Sequence, residues 1–111
     1  MYYYADRNIC HMELGRFTEV GLLIMVGLTE GPKHGYALIE EVGRLRGSRP
    51  GPGTLYGAIA RLEQDGLIES LDTEDRRIPY RLTTAGRAAL TAELASLERL
   101  LDTARTRLAT A

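Results

Sequence analysis

Two clusters of proline and glycine divide the first two thirds of the chain into separate apolar segments. One cluster is Gly31-Pro32, and the other is the segment GSRPGPG at residues 47–53. Proline lacks a backbone N–H and glycine is conformationally free, so helices and strands rarely continue through such clusters. Each apolar segment must therefore form its own element, joined to the next by a sharp turn.

The three apolar segments have the spacing of helices. In the first, apolar residues occupy nearly the whole circumference, which predicts a central helix that begins after the N-cap Thr18. The second helix is predicted from about Gly35 to Gly47, with charged residues opposite an apolar stripe. The stripe comprises Leu38, Ile39, Val42 and Leu45. The third helix is predicted from about Thr54 to Asp65.

A β-hairpin is predicted after the third helix. Residues 67–71 and 78–82 alternate between apolar and other side chains, and the polar run DTEDRR separates them. Three side chains of the second strand are expected to point into the core: Ile78, Tyr80 and Leu82. Pro79 cannot donate a hydrogen bond, so its strand is expected at an edge of the sheet.

The remaining residues, from about Thr84, are predicted to form a helix with a regular leucine seam. The seam comprises Leu90, Leu94, Leu97, Leu101 and Leu108, with Ala104 between the last two. Its members alternate four and three residues apart, a period of about 3.5 that is typical of a helix that packs against a second helix, which predicts dimerisation. The alternative is a helix docked on its own domain.

Charge and apolar content exclude several classes of protein. The formal net charge is −1, so any nucleic-acid surface has to be a local basic patch. The longest apolar run, residues 20–28, is about half the ~20 residues that a membrane helix needs, so no membrane partner is predicted. The single cysteine, Cys10, allows no internal disulfide, which makes a reducing cytoplasm the expected location.

Neither a catalytic nor a metal-binding pattern is visible. His11 and His34 lie far apart, and neither has a carboxylate or cysteine at ligand spacing. The segment Gly51-Pro52-Gly53 is not followed by the glycine-lysine-serine or threonine element of a phosphate loop. We therefore expect neither an enzyme nor a bound cofactor.

The predicted order of helix, helix, glycine-rich turn, helix and β-hairpin is that of a winged helix-turn-helix. We expect a mainly α fold with a small β-hairpin, followed by a C-terminal dimerisation helix. The expected organisation is a mobile N-terminal arm or extension at residues 1–15, a DNA-binding domain at 16–83 and a dimerisation helix at 84–111. In this fold the third helix enters a major groove of DNA and the hairpin flanks it.

Several short motifs allow a more specific comparison. They are HGY at residues 34–36, PGTLY at 52–56, RLE at 61–63 with GLI at 66–68, and YRLT at 80–83 with GR at 86–87. Together they resemble the PadR family of bacterial transcriptional regulators over roughly residues 16–90. The resemblance implies a homodimeric repressor of palindromic operator DNA, often at detoxification or efflux genes, that a small molecule or another signal releases.

The resemblance also implies which residues meet double-stranded DNA. These are Tyr36, Thr54, Tyr56 and Arg61 in the helices and Arg76 and Arg77 in the hairpin. Hydroxyls near the start of the third helix can donate to phosphate oxygens. Arg61 follows Thr54 by seven residues, on nearly the same face, and can reach a phosphate or a guanine edge. Two alternatives stay open: Arg61 pairs with Glu63 or Asp65, and Tyr36 packs beneath the third helix.

The chain departs from the family pattern in three places. Gly57 stands where proline is frequent, which loosens the first turn of the third helix. Glu74 and Asp75 make the hairpin loop more acidic than is usual, which weakens the expectation that it inserts into a minor groove. The sequence has one C-terminal helix, so it resembles the short subfamily and not the members with a larger C-terminal effector region.

Two other functions fit parts of the sequence. The near-neutral charge and the acidic hairpin loop favour a winged-helix module that binds proteins and has no affinity for DNA. A sensor that binds an apolar small molecule in the groove of a dimer is the other alternative, although the chain has no tryptophan to stack on a flat compound.

Overall fold

Residues 17–110, which a computed structural model describes, form four helices and three short strands. In chain order the elements are α1 (Glu19–Leu28), β1 (Lys33–His34), α2 (Gly35–Arg46), α3 (Pro52–Gln64), β2 (Ile68–Ser70), β3 (Pro79–Leu82) and α4 (Thr84–Thr110). This architecture confirms the predicted fold class, a mainly α winged helix-turn-helix with a C-terminal helix. The arm expected at residues 1–15 lies outside the described residues.

Side chains and one glycine set the ends of α1 and α2. The Thr18 hydroxyl accepts a hydrogen bond from the N–H of Gly21 at 3.0 Å, so Thr18 caps α1 as predicted. His34 caps α2, because its Nδ1 accepts from the N–H of Ala37 at 3.2 Å. The α2 helix is followed by Gly47 at a φ of 92°, a left-handed conformation that glycine adopts without steric cost.

The α3 helix begins at Pro52, two residues before the start that the sequence predicted at Thr54. Sequence analysis placed Pro52 and Gly53 in the connection because both residue types are poor helix formers. The first residue of a helix has no intrahelical acceptor for its N–H, however, so proline is tolerated there and its fixed φ suits the helix.

The α1 helix lies at the centre of the core. Its residues Ile24 and Met25 are completely buried, and the helix packs against α2, α3, α4 and β3. Gly27 permits a close approach to α2, because a Cβ there would lie 2.8 Å from Cγ of Glu41. The other elements contribute Leu38, Val42, Leu55, Ile59, Leu62, Leu67, Ile68, Leu82 and Leu90. Leu45, the last residue of the stripe predicted in α2, is exposed and lies outside this core.

The three strands form an antiparallel sheet in the order β1-β3-β2. The β1 strand, which the sequence did not predict, pairs with β3 through Lys33 with Tyr80 and His34 with Pro79. The prediction that the strand of Pro79 lies at an edge was wrong. Pro79 is the first residue of β3, a position where a missing N–H is tolerated. The predicted inward position of Ile78 was also wrong, because this residue precedes β3 and is exposed.

The α4 helix packs on the domain only through its first half. The Thr83 hydroxyl accepts a hydrogen bond from the N–H of Gly86 at 2.9 Å and so caps the first turn. A Cβ on Gly86 would lie 2.9 Å from the carbonyl carbon of Leu67, which shows how closely α4 approaches that backbone. Leu90 is buried in the core, whereas residues 98–110 are all exposed. The second half of α4 therefore does not dock on its own domain.

We expect Gly86→Ala to destabilise the protein by about 1–3 kcal/mol, because the added methyl group overlaps the backbone of Leu67. Gly57→Ala is the matched control. A Cβ at Gly57 meets no atom within 4 Å, and alanine is the better helix former, so this change should stabilise by about 1 kcal/mol. Urea denaturation followed by circular dichroism measures both. Equal effects would contradict the packing of α4 against Leu67.

Candidate nucleic-acid interface

Four of the six side chains expected to meet DNA line one depression of about 270 Å³. They are Tyr36, Tyr56, Arg76 and Arg77. The depression lies between the start of α2, the first half of α3 and the wing, by which we mean β2, β3 and the loop of residues 71–78. His34, Gly35, Ile78 and Tyr80 complete its wall.

The pairing of β1 with β3 places the wing beside α2. His34 is both the partner of Pro79 in the sheet and the N-cap of α2, so the base of the wing lies next to the first turn of that helix. Arg76 and Arg77 precede Pro79 by only a few residues and therefore reach the depression. Tyr36 reaches it from the other side, because it lies in the first turn of α2.

The two tyrosines in the depression are accessible to a ligand. Tyr36 is 59% exposed and Tyr56 is 47% exposed. The alternative that Tyr36 packs beneath α3 does not fit this exposure. Neither hydroxyl has a hydrogen-bond partner in the described part of the chain, so both are free to donate to an acceptor from outside.

The other two predicted residues, Thr54 and Arg61, line a separate groove of about 450 Å³ between the start of α1 and α3. Both are exposed, and both face the same side of α3, as the spacing of seven residues predicted. Tyr56 faces the other side, toward the wing. The α3 helix therefore presents predicted DNA-binding residues along two of its sides.

Ion pairs distinguish the arginines of the candidate site from most others in the domain. Four arginines and Lys33 pair with acidic side chains: Arg44 with Glu41, Arg46 with Glu19, Arg49 with Glu40, Arg81 with Glu69, and Lys33 with Glu30. Among residues 17–110, Arg61, Arg76 and Arg77 have no acidic partner within 4.0 Å. The alternative that Arg61 pairs with Glu63 or Asp65 is therefore not what the structure shows.

The acidic residues of the wing lie apart from the depression. Asp72, Glu74 and Asp75 are exposed and are not among the residues that line it. The Asp75 carboxylate instead accepts a hydrogen bond from the backbone N–H of Arg76 at 3.1 Å. The two arginines of the wing loop therefore line the depression, and its three acidic residues do not.

Tyr80 joins the depression to the core. Its ring is half-buried and packs against the core, as predicted. Burial raises the pKa of the Tyr80 phenol above its ordinary value of 10.0, and the nearby charge of Glu63 and the neighbouring Tyr56 raise it further. The phenol is therefore protonated at neutral pH and is available as a hydrogen-bond donor.

The raised pKa of Tyr80 predicts a loss of stability at high pH. In the unfolded chain the phenol ionises near pH 10, whereas in the folded protein it resists ionisation. The contribution of the protonated Tyr80 phenol to the free energy of unfolding is complete below pH 10 and is lost as the pH rises through the folded-state pKa. Urea denaturation between pH 8 and about 11 should show a steeper loss of unfolding free energy for the wild type than for Tyr80→Phe. Parallel curves would argue against the raised pKa.

The leucine seam of α4 is divided between the core and the exposed surface. Leu90 is 4% exposed and belongs to the core of its own protomer, so it is not part of an accessible stripe. Leu94 and Leu101 are nearly half exposed, Leu97 is half-buried, and Leu108 is 76% exposed. The accessible apolar stripe therefore begins at Leu94 and continues along the part of α4 that extends from the domain.

Sequence reasoning missed two features of the site. The β1 strand is only two residues long, too short for any alternation to be visible. Gly35 was predicted as the start of the second helix and as part of a motif, but its packing was not: a Cβ there would lie 2.7 Å from ring atoms of Tyr56. No local signal indicates this contact, because it depends on how two successive helices pack against each other.

The fold and the position of the exposed residues on α3 and the wing define a winged helix-turn-helix protein. Residues 24–92, more than half of the chain, match the profile of the "Transcriptional regulator PadR-like family". The chain therefore belongs to the PadR-like family of transcriptional regulators, and this membership places it among regulators and not among enzymes.

Named relatives agree with this assignment. "Transcriptional regulator Rv3488" of Mycobacterium tuberculosis is 45% identical over 85 residues, which cover 73% of this chain and 78% of that protein. An "uncharacterized 37.1 kDa protein in transposon TN4556" of Streptomyces fradiae is 42% identical over 85 residues, which cover 77% of this chain. The match spans only 25% of the Streptomyces protein.

Solved structures show the same fold. A PadR-like transcription factor from Bacteroides fragilis superposes with a TM-score of 0.72 at 27% identity, covering 91% of this chain and 98% of that one. A PadR family transcriptional regulator from Eggerthella lenta gives a TM-score of 0.70 at 31% identity, covering 84% and 87%. Within residues 17–110, none of the helices combines the length and the apolar character needed to cross a bilayer.

Proposed function

We propose that the chain is a cytoplasmic, homodimeric repressor that binds a palindromic operator in double-stranded DNA. The observation that carries this proposal is the convergence of Tyr36, Tyr56, Arg76 and Arg77 on one depression beside α3. These side chains come from α2, α3 and the wing, and the two arginines have no acidic partner in the described residues. Such a set of hydroxyls and guanidinium groups suits a backbone phosphate.

The two sides of α3 suit the two walls of a major groove. With α3 in the groove, the depression would receive a phosphate of one strand through Tyr56 and the wing arginines. Thr54 and Arg61, on the other side of α3, would face the bases or the opposite strand. Phosphate contacts on one side fix the register of the helix, and Arg61 can then read a guanine edge.

The exposed stripe on α4 supports the proposal of a dimer. The helix has 27 residues and is therefore about 40 Å long, and its second half carries exposed leucines. A helix segment of this kind gains stability by burying its apolar stripe against a second helix. We propose that two copies pair through Leu94, Leu97, Leu101 and Leu108, which sets two α3 helices about one DNA turn, ~34 Å, apart.

Release from DNA by a small molecule completes the proposal. The resemblance to PadR regulators supports release by an effector. The mechanism would be a change in the arrangement of the two paired domains, which would change the separation of their α3 helices. Thermal shifts of the purified protein with a panel of aromatic compounds, followed by DNA binding in the presence of any hit, would identify such a molecule.

The alternative is a winged-helix module that binds another protein and not DNA. The acidic tip of the wing and the net charge of −1 favour it. Binding to random-sequence duplexes across a range of salt concentrations decides between the two. For a DNA-binding protein, the logarithm of the binding constant falls linearly with the logarithm of the salt concentration, with a slope of about −0.9 per phosphate neutralised. The alternative predicts no measurable binding even at low salt.

The depression predicts the effect of removing the wing arginines. Arg76→Ala/Arg77→Ala should weaken binding to every duplex by a similar factor and make the salt slope shallower by about 1.8 if both arginines contact phosphates. Arg81→Ala is the matched control, since Arg81 lies in the wing but pairs with Glu69. Fluorescence anisotropy measures both. An unchanged slope in the double variant would contradict phosphate binding in the depression.

The exposed stripe predicts the effect of a charge in α4. Leu101→Asp should convert the dimer to a monomer and abolish preference for the palindromic site, because one small module buries too little surface for specific affinity. Thr106→Asp, on the opposite face of the same exposed segment, is the control and should leave the dimer intact. Sedimentation equilibrium gives the mass. A dimer that persists in Leu101→Asp would exclude this interface.

A further inference from the structure

Gly35, the first residue of α2, is in direct contact with a side chain of α3. A Cβ built on Gly35 would overlap the hydroxyl oxygen of Tyr56 and would lie 2.7 Å from Cε1 and Cζ of its ring. The outer end of the phenol ring therefore lies against the backbone of Gly35. Real Cβ atoms do not approach other atoms so closely, so a side chain at this position would displace the ring.

The backbone of Gly35 does not itself require glycine. The glycines with positive φ among residues 17–110 are Gly31, Gly47 and Gly66, and Gly35 is not among them. It is the first residue of a helix, a position whose ordinary helical conformation other residues, proline included, also adopt. The requirement for glycine comes from the space that Tyr56 occupies.

The contact fixes an exposed side chain. Tyr56 is 47% exposed, and its hydroxyl has no hydrogen-bond partner in the part of the chain that the structure describes. An exposed tyrosine without such a partner would otherwise sample several rotamers and lose that freedom on binding. Packing against Gly35 orders the ring before any ligand arrives, which lowers the entropy lost on binding.

We propose that Gly35 is a positioning residue for DNA binding, which acts by holding the Tyr56 phenol across the start of α2 so that its hydroxyl meets a DNA phosphate. This inference rests on the proposed function, because it concerns the same depression. Tyr36, Arg76 and Arg77 line the depression from other elements, so the position of the Tyr56 ring determines whether all four groups meet one phosphate. Replacing Gly35 therefore displaces the contact that Tyr56 makes with DNA.

A double-mutant cycle tests this inference. Gly35→Ala, Tyr56→Ala and the double variant are titrated into a random-sequence duplex at low salt, where phosphate contacts dominate affinity. Gly35→Ala should weaken binding about tenfold in the wild-type background, the scale of one hydrogen bond to a charged group. In the Tyr56→Ala background the same change should alter affinity by less than about twofold, because no ring remains to displace.

Gly27→Ala is the control that tests whether a packing defect elsewhere in the domain also weakens DNA binding. A Cβ there would lie 2.8 Å from Cγ of Glu41, which makes this another tight position, away from the depression. It should leave DNA affinity unchanged. A loss of affinity in Gly27→Ala equal to that in Gly35→Ala would show that any disturbance of packing weakens binding, and would overturn the inference.

The outcomes separate the inference from the function on which it rests. A wild-type protein that does not bind duplex DNA overturns the proposed function and this inference with it. Wild-type binding, together with equal losses from Gly35→Ala in both backgrounds, overturns the inference alone. If Gly35→Ala does not fold, the double variant decides: folding with the affinity of Tyr56→Ala supports the inference, and failure to fold or weaker binding overturns it.

Discussion

The pairing of β1 with β3 is the interaction on which the candidate site depends. It consists of two residue pairs, yet one of its members, His34, also caps α2. A two-stranded hairpin is marginal by itself in water, and a third strand together with packing on a core stabilises it. Because β1 is continuous with α2, the wing is attached directly to the helix-turn-helix. The arginines of the wing loop and the tyrosines of α2 and α3 therefore line one depression.

Local charge, and not net charge, determines what this surface can bind. Acidic partners within the protein occupy Arg44, Arg46, Arg49 and Arg81, most of them on α2 or the sheet. Exposed pairs of this kind add little stability, but they reduce the positive potential where they occur. Arg61, Arg76 and Arg77, which lie beside α3 and the depression, have no acidic partner among residues 17–110 and keep their positive potential. A chain with a net charge of −1 can in this way present a confined basic site.

The helices were predictable because their signals are local. Thr18 marks the start of α1 and Gly47 marks the end of α2. The prolines and glycines separate the segments, and the spacing of apolar residues within each segment identifies it as a helix. The exposed positions of Tyr56 and Arg61 also followed from spacing along α3. The strand β1 and the position of Pro79 were not predictable, since a strand of two residues has no period and its place in a sheet depends on distant partners. The contact of Gly35 with Tyr56 is likewise a product of the folded arrangement of two helices.

The length of α4 has a geometric consequence for the proposed dimer. A helix of about 40 Å that is anchored at one end acts as a lever, and a tilt of about 5° at its base moves the far end by roughly 3.5 Å. That displacement is close to the rise of one base pair, about 3.4 Å. In the proposed dimer, the contacts that hold the first turns of α4, including the close approach of Gly86 to Leu67, would therefore control the separation of the two α3 helices to within about one base-pair step.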